Sequence, residues 1–146
     1  MTAEQLRSIL EEVIHDPKFQ PRDGTTFCNL AVQAVCNAFD IYDFDGMMAN
    51  EMVDALEKNM LKGWRPCGGE KASEHALIGG LAIAGKRGGD HGHVAVVWPG
   101  SMDYSPNYGK MVPMLANVGE KNGIISMSWA FASKRGEPGY WKYQEA

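Results

Sequence analysis

The sequence predicts an α+β domain in which N-terminal helices pack on an antiparallel β-sheet. Two observations predict it. Over the first 60 residues, apolar side chains recur at spacings of three and four. Beyond residue 76 they fall instead into short apolar or β-branched runs, separated by Gly, Pro, Asn and Asp. Helices first and strands afterwards is the α+β pattern. A chain of 146 residues is long enough for one buried core, so a single domain spanning 1–146 is expected.

The first helix is expected at 3–15, where Leu6, Ile9, Leu10, Val13 and Ile14 form one face with acids between them. Pro17, Pro21 and Asp23-Gly24 end it and make a loop. Thr25 and Thr26 are N-cap types ahead of a second helix at 27–39, apolar nearly all round and therefore central and buried. After the turn Asp43-Phe44-Asp45-Gly46, a third helix at 48–60 places Ala49, Met52, Val53, Leu56 and Met60 inward, with Gly63 as its stop. Residues 65–73 read as Gly- and Pro-bearing loop. Strands are expected at 77–84, 93–98, 112–118, 124–131 and 140–143, with turn-rich segments at 85–91, 99–110 and 120–123 between them.

Composition narrows the function. With 45% hydrophobic and 22% charged residues, the chain is neither disordered nor fibrous. A net charge of −4 argues against a nucleic-acid partner, and Lys86-Arg87 and Lys134-Arg135 are too short to reverse that. They read as solvated loops. No apolar run approaches the roughly 18 residues of a membrane span, so membrane insertion is not expected. Acids appear early and no signal-peptide apolar core follows Met1. The chain is expected to be made in the cytoplasm without a cleaved signal, so work outside it needs another export route.

Cys28 is the most informative position. It falls at the start of the buried helix, where the helix dipole and unpaired backbone N–H groups favour a thiolate and can hold an oxyanion. The competing reading is a small buried hydrophobe. Cys36, eight residues on among apolar neighbours, reads as core; Cys67 is either a surface thiol or a disulfide partner. His93 follows Gly92 and opens the run Val94–Val97, so the strand fixes it near an open end of the sheet. Imidazole is the usual base for a Cys nucleophile. His91 reads as a solvated loop residue, and His75 and His15 as structural or exposed. A base needs a group to orient its second nitrogen. Asn117, on the next strand, is that candidate ahead of Asn122 and Glu120, which fall in a turn; Asn117 could equally serve the turn at Gly119. A metal site is disfavoured, because the ligand types near Asp90 and His93 lack H-E-x-x-H, C-x-x-C or any paired zinc spacing.

The stretch Thr26-Phe27-Cys28-Asn29-Leu30-Ala31-Val32-Gln33-Ala34-Val35 resembles the Cys-bearing helix of NlpC/P60 and CHAP-type peptidoglycan amidases. Together with Ala49–Glu57, and with Ile83-Ala84-Gly85-Lys86 followed by Gly92-His93-Val94-Ala95-Val96-Val97, it resembles the type VI secretion amidase effectors, small toxins that cut peptidoglycan in rival cells. The resemblance runs from about residue 22 to 143. Around the nucleophile it departs from the Asp-Cys-Ser-Gly of many NlpC/P60 members, having Phe27-Cys28-Asn29-Leu30.

The resemblance implies a papain-like (NlpC/P60-like) fold and a Cys28–His93 pair. It implies hydrolysis of the γ-D-glutamyl–meso-diaminopimelate amide of the stem peptide, with no metal or organic cofactor. It also implies delivery by a secretion apparatus into the periplasm of target bacteria and a cognate immunity protein in the producer. Three other readings share these residues: a phage-type endolysin, a side-chain deamidase or transferase using the same pair, and a non-catalytic module that binds wall peptide.

Overall fold

A computed structural model describes residues 1–132 and 136–144; Lys134-Arg135 lies outside the described residues. Among the described residues, five helices and eight strands follow in chain order. These are α1 (Ala3–His15), α2 (Cys28–Ala38), α3 (Ala49–Glu57), β1 (Trp64–Cys67), α4 (Gly69–Leu77), β2 (Ala82–Lys86) and β3 (His93–Val97). Then come β4 (Asp103–Ser105), β5 (Lys110–Val112), β6 (Met114–Asn117), β7 (Gly123–Ser126), α5 (Met127–Ala130) and β8 (Gly139–Tyr143). A 3-10 turn, Pro17–Phe19, follows α1.

The architecture is α+β with an antiparallel sheet, as the sequence predicts. Six strands lie in the order β1-β8-β2-β3-β6-β7, every neighbouring pair antiparallel. Strands β4 and β5 form a separate two-stranded ribbon. The last strand enters between β1 and β2, so closing this sheet requires contacts across more than half the chain.

Helix α1 is closed at its start by a capping box in which Thr2 and Gln5 exchange side-chain-to-backbone hydrogen bonds, an arrangement that stabilises a helix end by about 1 kcal/mol. Its buried face is Leu6, Leu10 and Ile14, spaced by four. Against the sheet, Ala31, Val32 and Val35 of α2 share an apolar cavity with Val94, Val96, Ala116 and Val118. Val94 and Val96 have the same strand parity, so one whole face of β3 packs on α2. Burying each such side chain is worth roughly 1.5–3 kcal/mol, which fixes the start of α2 relative to the start of β3.

Several boundaries differ from the sequence reading. The Thr25 and Thr26 side chains do not cap α2: the N-cap is Phe27, without a side-chain hydrogen bond, and Thr25 instead closes a small turn by backbone bonds with Arg22. Helix α2 is buried on one face but not all round, since Leu30 and Ala38 are exposed. Helix α3 stops at Glu57, with Asn59 at positive φ, so Met60 is 69% exposed and not part of the inward stripe.

The segment 65–73 is not loop. It contributes most of β1 and the first half of α4. Pro66 is tolerated because β1 is an edge strand paired on one side only. The buried face of α4 is Ala72, Ser73 and Ala76, too small to register as a hydrophobic period. Leu77 therefore ends a helix rather than opening a strand, and the strand begins only at Ala82 after the Gly79-Gly80 turn. Likewise 124–131 divides at Ser126, whose hydroxyl accepts from the Ser128 amide and starts α5. Residue 112 ends β5, and β6 begins at Met114. Among the described residues no helix is long and apolar enough to cross a membrane.

Candidate active site

Cys28 is the first residue of α2, and among the described residues no side chain caps that end. The first-turn amides of any α-helix have no intrahelical partners, and here they are the backbone groups nearest this thiol. The residue itself is 8% exposed. The 47–50 segment is bound to α2 by two amide side chains: Asn29 Nδ2 and Gln33 Nε2 both donate to the Met47 carbonyl, at 3.1 and 2.9 Å.

A cleft of about 270 Å³ opens over Cys28, walled by Thr25 and Thr26, by Asn29, by Met48–Asn50, and by Asp90–Gly92. The far wall is pinned by Asn50, which donates through Nδ2 to the Gly88 carbonyl and accepts from the Gly88 amide at Oδ1. Gly92 passes so close behind Asn50 that a Cβ there would overlap Asn50 Oδ1. This is the physical reason for a glycine immediately before His93. Arg87, on the same loop, pairs with Asp54 at 2.6 Å and with Glu57 at 3.9 Å, exposed contacts worth little individually.

His93 is 4% exposed and its ring is held on several sides. Its Nε2 lies 2.6 Å from Asn117 Oδ1, and Asn117 is equally buried. The orientation of the Asn117 amide follows from its other end, where Nδ2 donates to the Lys121 carbonyl at 2.9 Å. The oxygen therefore faces the imidazole. An amide oxygen only accepts, so the neutral imidazole carries its proton on Nε2 and its basic lone pair on Nδ1. Phe131 packs against the ring at 5.0 Å between centroids. Gly119 lies beneath it, and a Cβ there would come 3.2 Å from His93 Cε1.

The Asn117–Asn122 turn is itself anchored. Asn122 Oδ1 accepts from the Gly119 amide at 2.9 Å, and Asn122 Nδ2 donates to the Phe19 carbonyl at 2.8 Å. Asn122 therefore braces the turn, while Asn117 contacts the imidazole. Glu120 is exposed.

Thus His93 and Asn117 meet directly, and Cys28 lies beside both chain neighbours of His93: it shares the cleft with Gly92 and an apolar cavity with Val94. His93 and Asn117 also line a second open cleft of about 650 Å³ with Lys121, Ile125 and Trp129. Consecutive residues, Gly92 and His93, thus line the two clefts. Thr25, Thr26, Asp90 and Trp129 were not identifiable as cleft residues from sequence, because each is brought in by a loop or a four-residue helix with no periodic signal; Asn50 lies on α3, whose apolar stripe marks the buried face but not the residues that border the cleft. His91 is an exposed loop residue as expected, but it lines the Cys28 cleft.

The remaining candidates fall elsewhere. Cys36 is fully buried in α2, and burial, followed by Asp43 and Asp45, pushes its thiol far above the ordinary range. Cys67 is a half-buried thiol in β1, not a disulfide partner; burial raises it too, with Lys142 opposing. His75 belongs to α4, where Nε2 donates to the Tyr143 carbonyl at 2.9 Å and ties the helix to β8. His15 ends α1 and bonds the Glu11 carbonyl through Nδ1. Among the described residues no group of three His, Cys, Asp or Glu side chains is placed to hold a metal ion.

No protein-family model matches the chain. Over 85 residues it is 38% identical to peptidoglycan amidase Tse1 of Pseudomonas aeruginosa, a stretch that covers 54% of this chain and 50% of that protein. The chain thus aligns with about half the length of a known peptidoglycan amidase.

Proposed function

We propose that residues 1–146 form a single papain-like catalytic domain, a cysteine amidase of the NlpC/P60 type that hydrolyses the γ-D-glutamyl–meso-diaminopimelate amide of peptidoglycan stem peptide. The observation that carries this reading is the 2.6 Å contact between His93 Nε2 and Asn117 Oδ1, beside a cysteine at the uncapped start of a helix. The similarity to peptidoglycan amidase Tse1 supports the choice of substrate.

In the proposed mechanism Cys28 is the nucleophile, His93 the acid–base group and Asn117 its orienting partner. The Cys28 thiol gives its proton to His93 Nδ1, and the thiolate attacks the amide carbonyl. The oxyanion forms against the first-turn amides of α2, where a single such donor is commonly worth about 3–4 kcal/mol in the transition state. The imidazolium then protonates the departing amine as the C–N bond breaks, leaving a thioester on Cys28. Water, giving a proton to Nδ1, attacks the thioester and releases the acid.

We further propose an antibacterial role. In this reading the protein is passed by a type VI secretion apparatus into the target periplasm, and its producer holds an immunity protein that covers the cleft. The test is mass spectrometry of diaminopimelate-type peptidoglycan fragments incubated with wild type and with Cys28→Ala. A product pair cut between D-glutamate and diaminopimelate, absent with the variant, is expected. No cleavage by folded wild type, or equal cleavage by the variant, contradicts the reading.

A further inference from the structure

Trp129 is 78% exposed, whereas Trp64 and Trp141 are buried. Single exposed apolar side chains are common, but this one borders the cleft that His93 and Asn117 line. Its position is also fixed. Helix α5 starts on the Ser126 cap, its Met127 amide donates to the Pro113 carbonyl at 3.0 Å, and the Phe131 amide closes it on Met127 at 2.8 Å. Met127 and Ala130 are buried on either side, so α5 holds Trp129 outward on a rigid base.

The cleft that Trp129 borders is the one lined by His93 and Asn117. The other cleft, over Cys28, is walled by Thr25, Thr26, Asn29, Asn50 and Asp90 and is the more polar of the two. In the proposed reaction the helix start beside Cys28 receives the carbonyl oxygen, whereas His93 protonates the departing nitrogen. The amine half of the substrate must therefore leave from the His93 side.

We propose that Trp129 is the specificity residue for the amine half of the substrate, an inference that rests on the amidase reading above. The indole face takes the aliphatic stem of the residue on the amine side, and Lys121 and Glu120, of opposite charge on the same cleft, take the carboxylate and ammonium of a zwitterionic end group. A methylene stem ending in an amino-acid group is the chemistry of diaminopimelate.

The test compares two amides with the same acyl side, γ-D-glutamyl-meso-diaminopimelate and γ-D-glutamyl methylamide. Trp129→Ala should raise KM for the first about tenfold with kcat little changed, the effect of losing one aromatic contact, and Trp129→Phe should restore part of it. The methylamide should show no change. Equal effects on both amides, or none on either, overturn the assignment. A second readout does not depend on turnover: in Cys28→Ala, meso-diaminopimelyl-D-alanine should saturably change tryptophan emission, a change that adding Trp129→Phe removes, and D-alanyl-D-alanine should not. If wild type cleaves neither amide, the amidase reading fails, and this titration still decides the cleft: saturation supports the binding assignment and a flat titration overturns it.

Discussion

Replacing Asn117 by Ala removes one acceptor from a buried imidazole, and the size of the effect follows from the geometry. The His93 Nε2–H loses a partner at 2.6 Å in a site where both residues are 4% exposed, so little water reaches the orphaned donor. An unsatisfied buried donor costs about 1–3 kcal/mol. The same substitution breaks the bond to the Lys121 carbonyl, so the turn through Gly119 beneath the ring also loosens. If the loss falls on the transition state, about 1–3 kcal/mol corresponds to a fall of roughly 5- to 150-fold in kcat/KM. For a chain of this size Tm should fall by several degrees, since each kcal/mol is worth about 2–8 °C. The assay is hydrolysis of a purified stem-peptide fragment, with Lys58→Ala as control, because that exposed side chain lines neither cleft. Full activity in a folded Asn117→Ala protein would refute the orienting role. A fall equal to that in the control would also refute it.

Two further predictions use the other titratable groups. Iodoacetamide at mildly acidic pH should label Cys28 first, because burial raises both the Cys36 and Cys67 thiols; peptide mass mapping that finds Cys67 labelled ahead of Cys28 contradicts an activated Cys28. His75 is held below its ordinary value near 6.5, chiefly by burial and against the opposing pull of its bond to the Tyr143 carbonyl. Its neutral form is favoured in the fold, so its contribution is complete above about pH 6.5 and declines as pH falls below that, where the unfolded chain takes up the proton first. Thermal melts of His75→Gln between pH 7 and 5 should show a shallower loss of Tm than wild type, and parallel slopes would contradict this.

Much of the architecture was legible because large side chains carried it. Leu6, Leu10 and Ile14 announce α1, and Val94–Val97 announce β3. Helix α4 was not legible, because its buried face is Ala72, Ser73 and Ala76 and its start is Gly68-Gly69. The break at Ser126 was hidden because a capping hydroxyl in an apolar run looks like one polar residue in a strand. Of the candidate site, the sequence pointed to Cys28, His93 and Asn117 through their places at a helix start, a strand start and a neighbouring strand. Asn50 and Trp129 were invisible for a different reason. One acts through the backbone of Gly88, 38 residues away, and the other gains meaning only from the cleft that folding forms beside it.

The central claim is that Cys28 and His93 act as one unit, and a mutant cycle on a single stem-peptide substrate tests it most directly. Cys28→Ala, His93→Ala and the double variant, each verified as folded, should all fall to the same floor, because losing either partner disables the whole unit. Rate losses that add in the double variant, or a single variant that keeps wild-type turnover, would contradict the account.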